Sequence, residues 1–172
     1  LWLFRGDGQE LVVPTGTGKE IRKFLTEQDL IEIHLADQAH VQYDGELPLY
    51  DYQRPAVAAM KEQSCGILQA PCGSGKTQMG IALAAELSGK TLWVTHTQDL
   101  LNQSYERAAQ YFPKSTLGKI TAGKVMIGSH MTFATAQTLC KLDLSRYEYV
   151  WDTVIVDECH RLAGSPTQVT MF

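Results

Sequence analysis

The chain has 172 residues, a formal net charge of −4 and a charged fraction of 20%, which is length enough for one domain with a sizeable core plus a small extra module. The acidic balance argues against blanket affinity for nucleic acid, but a local basic groove acts within about 8–10 Å at ordinary salt and stays open. No run approaches the roughly 18 apolar residues of a membrane span, no leader is visible, and Cys65, Cys72, Cys140 and Cys159 form no CxxC pair, so the expectation is a cytoplasmic (intracellular) protein with no membrane, disulfide framework or zinc site.

Leu1–Arg5 and Glu10–Val13 are short apolar runs split by "GDG", which predicts a hairpin. Lys19–Thr26 carries Ile21, Phe24 and Leu25 at helical spacing, and "LIEIHL" alternates as a strand. "DGELP" breaks the pattern near Leu47. The boundary placed there makes 1–46 an accessory N-terminal module, small and of α+β type. His34 and His40 in it read as surface residues.

From 47 onward strands and helices alternate. Tyr52–Glu62 reads as a helix, "CGILQA" as a buried strand and Lys76–Leu87 as a helix with an apolar face. "TLWVT" is a strand, Gln98–Tyr111 a helix, "KVMIG" and "MTFAT" strands, "AQTL" a short helix, and "WDTVIVDE" a strand. Continuous apolar strands alternating with helices predict an α/β fold with a mainly parallel sheet covered on both faces.

Two stretches have the look of a phosphate loop, "VVPTGTGKE" and "LQAPCGSGKT". Such a loop curls its backbone N–H groups around an anion at a helix N-terminus, in the pattern G-x-x-x-x-G-K-[ST] with Ala often first. Ala70, Pro71, Cys72, Gly73, Ser74, Gly75, Lys76 and Thr77 satisfy it. Lys76 would set a positive charge on the β/γ-phosphates, and the Thr77 hydroxyl would ligate Mg²⁺. The earlier stretch has Val13 where a small residue is wanted and Glu20 where a hydroxyl is needed, so one nucleotide site is expected, at the second loop. Its partner is "VIVDECH", Val154 to His160. Asp157 stands at the carboxyl end of an apolar strand, where ligands bind in open sheets, and would hold Mg²⁺, the loop's second metal ligand. Glu158 would orient or deprotonate a water, and His160 would couple the nucleotide state to other elements.

"APCGSGKT" with "DECH" resembles the Walker A and Walker B boxes of superfamily-two DEAD/DEAH-type helicases. "LYDYQRPAVAAM" resembles the helix ahead of the P-loop in the group holding type I and III restriction-enzyme motor subunits and repair helicases. Gln53 then corresponds to that group's adenine-reading glutamine, with Tyr50 near its usual arginine. "LWVTHTQDLLNQ" and "FATAQTL" resemble motifs Ia and Ic, and through them Thr95, His96, Thr97, Gln137 and Thr138 are implied to touch the nucleic-acid backbone. Lys119 and Lys124 are further candidates for phosphate contact.

The resemblance implies a three-layer RecA-like P-loop domain over 47–172, the first of two lobes, in a motor that uses ATP and Mg²⁺ and acts on DNA ahead of RNA. Lys76 and Glu158 would be its catalytic residues. Alternatives are another P-loop ATPase of AAA+ type and a non-catalytic nucleotide-binding scaffold. The start at Leu1 and the stop at Phe172 lead to the expectation of an N-terminal fragment that lacks the second lobe and hydrolyses ATP poorly by itself.

Overall fold

The computed structural model describes residues 5–6, 11–12, 41–43, 47–63, 65–147 and 150–161. The helix expected over Lys19–Thr26, the strand "LIEIHL", and His34 and His40 lie outside them. Strands β1 (Arg5–Gly6) and β2 (Leu11–Val12) pair antiparallel, as expected of a hairpin around "GDG".

The remaining elements follow in the order α1 (Gln53–Lys61), α2 (Lys76–Leu87), β3 (Thr91–Thr95), α3 (Gln98–Ala108), β4 (Leu117–Thr121), β5 (Lys124–Met126), β6 (Met131–Thr135), α4 (Ala136–Leu139) and β7 (Thr153–Val156). One five-stranded sheet has the order β5-β4-β6-β3-β7. Every pairing in it is parallel except β4 with β5. The sheet is therefore α/β and mainly parallel, as the alternation of elements predicted.

Burial alternates along the strands and sorts them onto two faces, because successive side chains of a strand point opposite ways. Trp93, Met131, Phe133 and Leu117 meet Ile81 and Ala84 of α2 and Leu101 and Ala108 of α3. Leu92, Val94, Ile120 and Ala134 meet Ala136 and Leu139 of α4 on the other side. Helix α1 packs as an outer layer, with Val57 against Met79 and Ala82 of α2. Helix α2 is thus apolar on two sides, one toward the sheet and one toward α1. It lies close to β3 because residue 80 is glycine: a Cβ there would stand 2.7 Å from Trp93 Cη2. Val41 N donates to Ser88 O at 2.7 Å, and Tyr43 Oη donates to the carbonyls of Gly89 and His130, each at 3.0 Å. Burial pushes the Tyr43 phenol up to about 12, so it remains a donor at any ordinary pH.

Two expectations are corrected. "CGILQA" is not a strand: the segment has no ladder partner among the described residues, and Ile67 is 84% exposed. Its apolar composition satisfies strand propensity, but a strand needs a neighbour to take up its backbone hydrogen bonds. β4 was not foreseen, because its "LGKIT" mixes a glycine and a lysine into the apolar run. Gly118 is required there by crowding: a Cβ at 118 would collide with the Met126 carbonyl and the Gly128 amide.

Candidate functional site

Strands β3, β6 and β7 run parallel and end side by side. The residues that follow them collect along the carboxyl edge of the sheet, where open α/β sheets bind ligands.

The loop from Pro71 to Gly75 leads into α2. Gly73 and Gly75 both have φ of +78°, a left-handed conformation that glycine adopts without steric cost. Gly75 has a second reason to be glycine, since a Cβ there would collide with Gln53 Nε2. Gly75 caps α2 with no side-chain hydrogen bond, so the first-turn amides of the helix are offered outward, an arrangement that attracts anions. Ser74 Oγ is buried without a protein partner. Lys76 Nζ donates to the carbonyls of Ala70 at 3.1 Å and Pro71 at 3.2 Å, which holds the ammonium at the mouth of the loop. Cys72 is exposed, as are the other three cysteines, all free.

β7 delivers the acidic turn. Asp157 N still donates to Val94 O at 2.9 Å, fixing the turn to the end of β3. Burial raises the Asp157 carboxyl above its ordinary pKa, the neighbouring Glu158 charge raises it further, and the Lys76 ammonium pulls it back. That last effect ties the two turns together across the site. Glu158 has φ of +53°, which costs a residue with a Cβ about 1–2 kcal/mol. Its Oε2 lies 3.2 Å from His160 Nδ1, and Arg161 N donates to the Glu158 carbonyl at 2.9 Å. The expected coupling residue, His160, thus touches the expected catalytic one.

Gln53, at the start of α1, is only 2% exposed. Its Oε1 accepts from Tyr50 N at 2.9 Å and its Nε2 donates to Ser74 O at 2.9 Å. Tyr52 Oη donates to the same Ser74 carbonyl at 3.1 Å. The segment ahead of α1 is thereby fastened to the phosphate loop by two side chains.

A cleft of about 690 Å³ opens next to β3 and β6, lined by His96, Thr97, Gln137 and Thr138 together with Thr121 to Gly123 and Lys141. His96 Nδ1 is buried without a protein partner. Thr97 and Thr135 cap α3 and α4 by accepting from Leu100 N and Thr138 N, each at 3.3 Å. Thr95 is buried and donates from its hydroxyl to Thr97 O at 3.1 Å, so it stands behind the cleft and not in its wall. Lys119 does not reach the cleft: its ammonium bonds Asn102 Oδ1 at 3.1 Å and lies 3.9 Å over the Tyr105 ring. Thr121, Gly123 and Lys141 were missed from sequence. The turn after β4 was the available signal, hidden because β4 itself was unrecognised.

Among the described residues no group of three or more His, Cys, Asp or Glu is placed to hold a metal ion, and no helix is long and apolar enough to cross a membrane.

Residues 46–171 match the family described as "Type III restriction enzyme, res subunit". The DNA 3'-5' translocase XPB2 of Sulfurisphaera tokodaii is 32% identical over 95 residues, which is 54% of this chain and 22% of that protein. The chain therefore spans about a fifth of that relative's length. The UvsW helicase of bacteriophage T4 superposes with a TM-score of 0.65 at 20% identity, over 95% of this chain and 67% of that one. The SWI2/SNF2 ATPase core of Sulfolobus solfataricus, solved in complex with dsDNA, gives 0.58 at 18% identity, over 76% of this chain and 30% of that one.

Proposed function

The chain belongs to the family of type III restriction enzyme res subunits, and from that premise we propose that 47–172 form the ATP-binding first lobe of a motor that hydrolyses ATP while acting on DNA, with 1–46 an accessory module. The observation that carries this reading is the meeting of the Gly73–Thr77 loop with the Asp157–Glu158 turn at one sheet edge, close enough for Lys76 to act on the Asp157 carboxyl.

The loop amides at the start of α2 would cradle the phosphates, and Lys76, once turned from the Ala70 and Pro71 carbonyls, would neutralise them. Thr77 and Asp157 are hard oxygen donors of the kind Mg²⁺ takes. The ion fits the site because a cation beside Asp157 would relieve the burial and the Glu158 charge that push its carboxyl up. When bound it would offset charge on the phosphates. Glu158 would take a proton from, or orient, the attacking water once it leaves His160. DNA backbone would lie in the cleft by His96, Thr97, Gln137 and Thr138, where hydroxyls and amides suit sugar and phosphate without reading bases. Supporting DNA as the partner, the similar XPB2 is named a DNA translocase and the similar SWI2/SNF2 core holds dsDNA. A second RecA-like lobe completes the motor in this reading.

In the intact protein, ATP hydrolysis should rise on addition of DNA. Glu158→Gln should bind ATP normally and hydrolyse it about 10²–10⁴-fold more slowly, the usual cost of losing a general base. Undiminished turnover in Glu158→Gln, or hydrolysis indifferent to DNA, would overturn the proposal.

A further inference from the structure

The glutamine expected to read the base is occupied elsewhere. Gln53 is 2% exposed, and its amide spans from the Tyr50 N–H to the Ser74 carbonyl. It presents no free edge to a base and acts as a strut between the chain ahead of α1 and the phosphate loop.

What that strut holds up is a pair of aromatic rings. Tyr50 and Tyr52 are stacked, with centroids 5.7 Å apart and planes 9° from parallel. Both are exposed, Tyr50 at 71% and Tyr52 at 58%. Tyr52 is fixed through its hydroxyl to Ser74 O, inside the phosphate loop. Tyr50 is fixed through its backbone by Gln53 and through its ring by Tyr52. Two large rings are thus held rigidly in solvent beside an anion cradle, at the price of their own hydration. Neither joins a core cluster. A preset aromatic face is what a nucleobase stacks on, with gain from any π-face and more from a larger one.

We propose that Tyr50, backed by Tyr52, is the platform on which the base of the bound nucleotide stacks, and that this site selects purines by stacking area with little discrimination between adenine and guanine. The proposal rests on the reading of the Gly73–Thr77 loop as the phosphate site.

The test measures binding of ADP, GDP and inorganic tripolyphosphate, with Mg²⁺, to the intact protein and its variants. Tyr50→Ala should weaken ADP and GDP about tenfold, the scale of one lost base–aromatic stack, and leave tripolyphosphate unchanged. Tyr50→Phe should restore both nucleotides. The Gln53 bond goes to the Tyr50 backbone, so the alanine variant keeps the strut. Unchanged ADP binding in Tyr50→Ala would overturn the proposal. So would an equal loss of tripolyphosphate, which marks a mere brace, or a wild-type preference for ADP over GDP well beyond tenfold. Lys76→Ala separates the two readings. If it abolishes binding while Tyr50→Ala does not matter, the loop is right and the platform wrong; if it leaves ADP binding intact, the loop assignment falls and the platform with it.

Discussion

Asp157 shows how a single side chain can work against the fold that carries it. Its carboxyl is raised by burial and by Glu158, so the folded state holds that proton to a higher pH than the unfolded chain does. The ionised form therefore costs stability at neutral pH, and the cost fades as pH falls through the raised folded pKa toward the ordinary carboxylate range. Without Mg²⁺, Asp157→Asn should raise Tm at pH 7 by about 1–3 °C, a modest gain for a half-buried group. The gain should shrink as the melt is moved to acid pH, and Mg²⁺ with nucleotide should narrow it by stabilising the wild type alone. A variant that melts lower at pH 7 would remove Asp157 from this role. At this scale the sequence spoke clearly where residue types were contiguous. The glycines, the lysine and the hydroxyl of one loop, and the paired acids of one strand end, each sit in an unbroken pattern. It was silent on Gln53 and Tyr50, because a side chain's hydrogen-bond partner 21 residues away leaves no mark on local spacing.

Helix α2 is the element on which the site depends, since its N-terminus forms the loop and its body is clamped between β3 and α1. Gly80 sits in its middle. By helix propensity alone, Gly80→Ala should stabilise by about 0.8–1 kcal/mol. The Trp93 ring, 2.7 and 2.9 Å from the new Cβ, reverses the sign, because overpacking a filled core costs about 1–3 kcal/mol. A net loss in denaturant melts is expected, and a stabilised Gly80→Ala would mean that the ring yields freely. Elements with strong periodicity were legible in the chain: α2 occupies the residues its apolar spacing predicts, as do β3 and β6. The failures share one cause. Strand identity depends on partners that a linear reading does not contain. "CGILQA" has strand residues and no ladder, while "LGKIT" has mixed residues and is gripped between β6 and β5.

The molecule as a whole presents half of the chemistry the proposed reaction needs. No cation besides Lys76 is placed on the phosphate side by any contact described above, and Arg161, exposed beside the acidic turn, gives its backbone N–H to Glu158. If a second lobe supplies an arginine, these 172 residues expressed alone should hydrolyse ATP about 10³–10⁵-fold more slowly than the intact protein. Steady-state rates that match would make the one lobe catalytically sufficient. The division at Leu47 and the accessory nature of 1–46 would be tested by the same comparison on a chain begun at 47. The sheet itself carries a consequence for motion. β7, which delivers Asp157 and Glu158, is the end strand of the order β5-β4-β6-β3-β7 and bonds only to β3 among the described strands. Its amides must then alternate, those of Ile155 and Asp157 turned toward β3 and those of Val154 and Val156 turned away. In amide hydrogen exchange the first pair should be slow and the second fast, while β3 and β6, each flanked on both sides, should be protected at every position. The catalytic acids hang from the strand of the sheet that opens most readily, so whatever comes to pair with the outer side of β7 would be felt in the site as a stiffening of the acidic turn.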